Sequence, residues 1–109
     1  MDVLRTGVSA LGCVEPENDF EAQQAITQRL LAVLPSMLLY WFRYSHNQEK
    51  INVETEDDSI AGHFLHLLAG SPPNDVHRRA MDVALILYAE HEFNASTFTA
   101  RITASTLSD

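Results

Sequence analysis

At 109 residues the chain has room for one domain, and a self-contained fold of that size buries roughly 65% of the surface its unfolded form exposes. Seven Lys and Arg against 15 Asp and Glu give a formal charge of -8, which disfavours nucleic acid or an anionic membrane as partner, because phosphate binding needs clustered cations. A single cysteine, Cys13, excludes an intramolecular disulfide, and the first residues lack the basic and apolar stretches of an export signal, so a reducing cytoplasm is expected.

Val3, Leu4, Val8 and Leu11 recur at helical spacing, predicting a first helix over 1–12 that Gly12 closes in a left-handed cap. The polar connector Glu15-Pro16-Glu17-Asn18-Asp19 follows, with Asn18 or Asp19 placed to cap the next helix. That second helix is long. Phe20, Ala25, Ile26, Leu30, Val33, Leu34, Met37, Leu38, Trp41 and Phe42 follow steps of three and four, while Pro35 predicts a kink over 31–34. Gln28, Arg29, Pro35 and Ser36 interrupt the apolar run, so no stretch is expected to reach the ~18 to 20 residues of a bilayer crossing, and the chain reads as soluble. The pattern ends over 45–50, and 51–57 reads as an exposed acidic loop with little to bury, the segment expected to move most.

Asp58 or Ser59 caps a short helix over 60–69, whose Phe64, Leu65, Leu67 and Leu68 are expected to face a core before Gly70-Ser71-Pro72-Pro73 stops it. Asn74 or Asp75 starts the next helix, 76–91. It is apolar almost all round, which predicts a central element sandwiched between others. Asn94 caps a last helix running towards Asp109, rich in Ala, Ser and Thr, which allow close approach of a neighbour. The expected fold class is all-α with about five helices, because no segment alternates like a strand and no internal repeat is visible. A first helix without a leader and a last helix without a stop signal suggest a piece of a longer chain.

His91 stands between Glu90 and Glu92 at the end of the most apolar helix, where a polar ring can project from a dry core into a cleft. An imidazole there also simply suits the negative end of the helix dipole. His63 and His66 share one helix face at a spacing able to place two ring nitrogens on a metal, with Glu90 and His91 as conceivable further ligands. Without a supporting carboxylate-x-x-His pair, packing and hydrogen bonding are the expected roles and no metal is expected. Cys13 has no neighbouring His, Lys or Arg to activate it and reads as structural. Met37, Trp41, Phe42 and Tyr44 form a stripe that reads as core. No glycine-rich phosphate loop, Gly-x-Ser-x-Gly elbow or His-Glu-x-x-His motif is present.

Several blocks carry a resemblance: the opening run from Met1 to Cys13, Leu39-Tyr40-Trp41, Tyr44-Ser45-His46-Asn47, the run from Asp57 to Leu68, and Leu85 to Arg101 with its His91-Glu92-Phe93-Asn94-Ala95-Ser96-Thr97. Across the whole chain these resemble the citrate synthase family, most closely its 2-methylcitrate-forming branch. The resemblance implies an all-α, dimeric parent several times longer, whose large and small domains close over oxaloacetate and an acyl-CoA. Residues 1–109 are similar to the middle of the large domain, with the small domain absent.

The implied reaction is that of an acyltransferase of bacterial propionate catabolism, the methylcitrate cycle: propionyl-CoA, oxaloacetate and water give 2-methylcitrate and CoA. The alternatives are the acetyl-CoA reaction of citrate synthase, or a non-catalytic helical interaction module. The resemblance implies that His91 donates a hydrogen bond to oxaloacetate, with Asn94 near the same pocket. It implies that the catalytic Asp and two His lie in motifs without counterpart here, so no catalytic residue is expected within the chain and none of its own turnover. No cofactor is implied, the CoA thioester being a substrate. The helices at 1–12, 76–91 and 95–109 are implied in a homodimer interface, and an all-round apolar helix independently calls for more cover than five short helices supply.

Overall fold

The computed structural model describes residues 1–16, 21–90 and 92–107. It contains α1 (Asp2–Val14), α2 (Gln23–Asn47), α3 (Ile60–Ala69), α4 (Asp75–Tyr88) and α5 (Ala95–Ser105), with no strand among the described residues. The all-α, five-helix reading holds. The expected caps at Asn18 or Asp19, and the apolar position Phe20, lie outside the described residues; α2 starts behind Ala22, which makes no side-chain capping bond.

Gly12 does not end the first helix. α1 continues through it to Val14, and Glu15, at φ -126° and ψ 69°, closes it by donating its N–H to the Leu11 carbonyl at 2.8 Å. The stop belongs to Pro16, whose ring keeps the residue before it out of the helical region. α2 then runs unbroken across Pro35 to Asn47 and ends in left-handed Gln48, whose N–H reaches the Tyr44 carbonyl at 2.9 Å. Its length and composition suffice for a membrane crossing, contrary to the sequence expectation. Within this fold it is the spine of a bundle, packed against both α1 and α3.

The face that α2 turns to α3 is not the predicted stripe. Pro35 and Leu39 are its buried residues, whereas Trp41 and Phe42 are exposed and Met37 and Tyr44 half-buried. Pro35, Leu39 and Arg43 lie four apart and so share one row, beside Ser36. Across from them stand buried Ala61, Gly62 and Leu67 of α3. A small alanine and a glycine let the two backbones close up, and Leu39 and Leu67 fill the seam. On α3, Phe64 and Leu65 are half-buried and Leu68 is exposed.

Ser59 caps α3 by accepting the Gly62 N–H at 3.0 Å, and Gly70 terminates it at φ +76°, a conformation that glycine adopts without the Cβ penalty. Asn74 caps α4 through the His77 N–H at 2.8 Å. The segment 51–57, expected to be loose, is pinned: Ile51, Val53, Thr55 and Asp57 are half-buried while the residues between them are exposed, and the two polar ones bond to α3. An extended strap with period-two burial escaped a reading based on its acidic content.

α4 is not the central helix. It packs against α3 alone and buries none of its residues; Ile86 is 66% exposed, Leu87 69% and Tyr88 84%. Being apolar all round expresses a need for cover that the described residues leave unmet. α5 packs against no other helix among the described residues. It also ends at Ser105 rather than running on, because hydroxyls near its end bond back to the backbone, Ser105 Oγ to Ile102 O at 2.8 Å and Thr106 Oγ1 to Thr103 O at 2.9 Å.

The buried seam sets an expectation for stability. In urea denaturation, Leu39→Ala is expected to cost about 2 to 5 kcal/mol by opening a cavity between α2 and α3, whereas Leu87→Ala costs under about 0.5 kcal/mol as a surface change. Equal losses would show that α4 lies in a core after all.

Candidate functional site

Two polar constellations emerge, one at the α2–α3 seam and one after α4. In the first, His63 sits half-buried between two hydroxyls, with Ser36 Oγ 2.8 Å from Nε2 and Thr55 Oγ1 2.8 Å from Nδ1. A neutral ring donates through one nitrogen and accepts through the other, and a hydroxyl suits either role. His66 Nδ1 lies 2.7 Å from Asp57 Oδ2; an ionised carboxylate only accepts, so the proton is on Nδ1. Both histidines thus hold the strap to α3, as the packing and hydrogen-bonding role expected of them requires. No group of three metal-ligating side chains occurs among the described residues.

Asp57 is held below its ordinary value of 3.8, chiefly by the His66 hydrogen bond, with burial opposing and with Thr55 and the charges of His66 and His63 assisting. A Cβ at position 62 would stand 3.0 Å from Asp57 Oδ1, so Gly62 gives that carboxylate its place. Arg43 closes the other end of the strap. Its Nε and Nη2 donate to Glu49 Oε2 at 2.9 and 2.6 Å, and Nη1 donates to the Leu68 carbonyl at 3.0 Å, a cation placed in the last turn of α3. Sequence reasoning passed over Ser36, Thr55, Asp57 and Arg43. The alternation of 51, 53, 55 and 57 was the available signal.

The second constellation lies where the sequence expected substrate. α4 stops at Tyr88, three residues before the predicted end. His91, the expected oxaloacetate donor, lies outside the described residues. Its neighbours Glu90 and Glu92 line a groove of about 740 Å³ together with Asn94, Thr97, Phe98 and Arg101. Glu92 and Phe93 both take left-handed backbone, φ 58° and 45°, and the Glu92 N–H donates to Glu90 Oε1 at 2.5 Å. Two successive non-glycine residues in this region are costly and persist only where the surroundings fix them. Asn94 returns the chain to extended geometry and caps α5, its Oδ1 accepting the Thr97 N–H at 2.7 Å. The structural half of the Asn94 expectation is therefore met. Its amide nitrogen makes no further bond among the described residues.

Cys13 is exposed on α1. Glu15 receives the guanidinium of Arg29, tying the end of α1 to α2.

Residues 1–109 match in full the family model described as citrate synthase, C-terminal domain. Over its whole length the chain is 61% identical to a 2-methylcitrate synthase of Shewanella oneidensis, of which it covers 29%. It is 41% identical to a citrate synthase of Deinococcus radiodurans, again covering 29% of that protein, and 41% identical to a 2-methylcitrate synthase of Mycobacterium tuberculosis, covering 28%. The chain thus spans less than a third of the length of these relatives.

The depressed Asp57 carboxyl gives a pH signature. A group with a lowered folded value stabilises the fold above 3.8 and loses that contribution as pH falls through the folded value. Asp57→Asn is therefore expected to be less stable than the parent by about 1 kcal/mol at neutral pH, with the gap closing in acid below 3.8. Urea midpoints across pH check this, and a gap that persists in acid counts against the Asp57–His66 bond as its source.

Proposed function

This chain belongs to the citrate synthase family, and from that membership we propose that it serves within a longer enzyme that condenses propionyl-CoA with oxaloacetate and water, releasing 2-methylcitrate and CoA. The observation that carries this choice is the 61% identity to a 2-methylcitrate synthase along the entire chain, against 41% to a citrate synthase. The acetyl-CoA reaction is the second reading, since citrate synthases also match from end to end.

In this reading the chain contributes substrate binding. His91 donates an N–H to oxaloacetate, which both holds the anion and polarises the keto carbonyl that must accept the carbanion-like α carbon of the acyl group. The new carbon–carbon bond forms at that carbonyl carbon, and water then cleaves the thioester to free CoA. The nearby cap at Asn94, which sets where α5 starts, is consistent with a binding role for this stretch. Asn94, its Oδ1 engaged in the cap, offers its amide nitrogen to the same ligand. The family's reactive Asp and two His belong to motifs without counterpart here, so the chain needs further polypeptide for turnover. No cofactor beyond the thioester substrate enters, and the reaction is assigned to the cytoplasm, without nucleic-acid or membrane partners.

A homodimer completes the proposal. The exposed Ile86, Leu87 and Tyr88 on α4 and Phe98 and Ile102 on α5 support it, as do a first and last helix with free faces. They would equally serve a helical interaction module without chemistry, the third reading.

Two measurements separate these. Free CoA release by the longer protein carrying this chain is expected to be faster from propionyl-CoA than from acetyl-CoA with oxaloacetate present, and His91→Ala is expected to lower kcat/KM for oxaloacetate by about 100- to 1,000-fold. The 109 residues alone are expected to match a protein-free blank. Preference for acetyl-CoA selects citrate synthase, and no CoA release from either thioester selects the module. In sedimentation, the chain is expected to associate as concentration rises; a clean monomer at high concentration counts against the dimer.

A further inference from the structure

The strap over 51–57 is fastened to α3 through two imidazoles, and the charges around the second fall one cation short. His66 Nδ1 and Asp57 Oδ2 meet at 2.7 Å, with the His66 side chain 27% exposed. The His66 ring also lines a cleft of about 370 Å³ with Arg43, Glu49, Lys50, Glu54 and Thr55, and is open to water there. Three carboxylates, Asp57, Glu49 and Glu54, thus stand around it with two cations, Arg43 and Lys50. Arg43 is already paired with Glu49 at 2.6 Å. His63, the other imidazole of the clasp, has its nitrogens bonded to the hydroxyls of Ser36 and Thr55 and no carboxylate at hydrogen-bond distance. α4, the second helix packed on α3, adds no residue to the cleft among the described residues. Asp57, held below 3.8, stays ionised throughout the range of about pH 5 to 8 in which imidazoles exchange their charge.

We propose that the strap is a proton-tightened clasp: a second ring proton on His66, taken up at Nε2, turns its hydrogen bond to Asp57 into an ion pair and holds residues 51–57 more firmly on α3. The Nδ1 proton already points at the carboxylate, so the tightening needs no movement of either side chain. Nε2 makes no hydrogen bond among the described residues and is free to take the proton. A contact charged on both sides is stronger than one charged on a single side, and half-burial limits its screening by salt. Because the proton binds the closed strap more tightly than the open one, the added hold is present on the acid side of the imidazole's titration and fades as pH rises through it. The central clasp of the fold thereby responds to pH near neutrality, well above the acid loss of Asp57 itself.

Hydrogen–deuterium exchange of the peptides spanning 51–57, in the longer protein that carries this chain, tests this across about pH 5 to 8. Each rate is divided by that of the same peptide, unstructured, at the same pH. The parent is expected to protect the strap about three- to tenfold more at the acid end than at the alkaline end, while peptides of α1 change little. His66→Gln keeps an N–H donor for Asp57 but takes up no proton, and its strap is expected to be equally protected across the range. Asp57→Asn keeps the acceptor without its charge and is expected to lose the acid-side gain as well. Should His66→Gln fail to fold, Asp57→Asn decides alone. A parent strap whose protection is flat with pH overturns the proposal, as does one without protection at any pH. So does an acid-side gain that survives in either variant, because another group would then be its source.

Discussion

The seam between α2 and α3 is the contact on which the rest of the molecule depends. Leu39 and Leu67 supply its apolar area, Ala61 and Gly62 its closeness, and the Ser36–His63 bond fixes how one helix is rotated against the other. A hydrophobic contact is non-directional, and α2 has apolar residues on more than one side. The half-buried hydrogen bond supplies the missing direction. A histidine with hydroxyls on both nitrogens does this with each ring position engaged. The same ring then passes the constraint on to Thr55, so that the strap over 51–57 is placed by the helix pair it covers.

From that seam the molecule extends outward by single contacts. α1 rests on α2, and α4 rests on α3. Beyond α4, Glu92 and Phe93 take left-handed backbone and Asn94 caps α5. The groove beside α5 is a local feature, lined by described residues that all lie between Glu90 and Ser105. Its position relative to the seam depends on α4, which carries it at the far end of a largely exposed helix.

Much of this was legible in the sequence wherever a local rule decided the outcome. Ser59, Asn74 and Asn94 are short polar side chains before apolar runs, and each caps the helix that follows. Gly70 ends α3 as its place predicts. Legibility failed where two signals competed or where the answer lay across the fold. Gly12 and Pro16 both offered a stop, and proline's steric exclusion won over glycine's mere permissiveness. The inward face of α2 could not be read from periodicity, because an apolar residue stands at almost every step from 37 to 42; only the partner helix chooses Leu39 over Trp41. Thr55 and Asp57 were hidden in an acidic run because their partners are eight and nine residues away. At the candidate site, the capping role of Asn94 was evident from sequence, whereas the groove it shares with Glu90, Glu92 and Arg101 was not, because that depends on how α5 leaves its cap.

The uneven cover of the helices has a bearing on the order of events during synthesis. The pairings that bury Leu39, Ala61 and Leu67 all lie within residues 35–67 and so are available before α4 and α5 have left the ribosome, since chains emerge from their N-terminal side. α4 and α5 come later and arrive with Ile86, Leu87, Tyr88 and Phe98 still wet. α4 has α3 to rest on, whereas α5 has no helix among the described residues to cover it. Apolar side chains left open in this way favour association with any matching surface, which makes the interval before they are covered the one most open to aggregation.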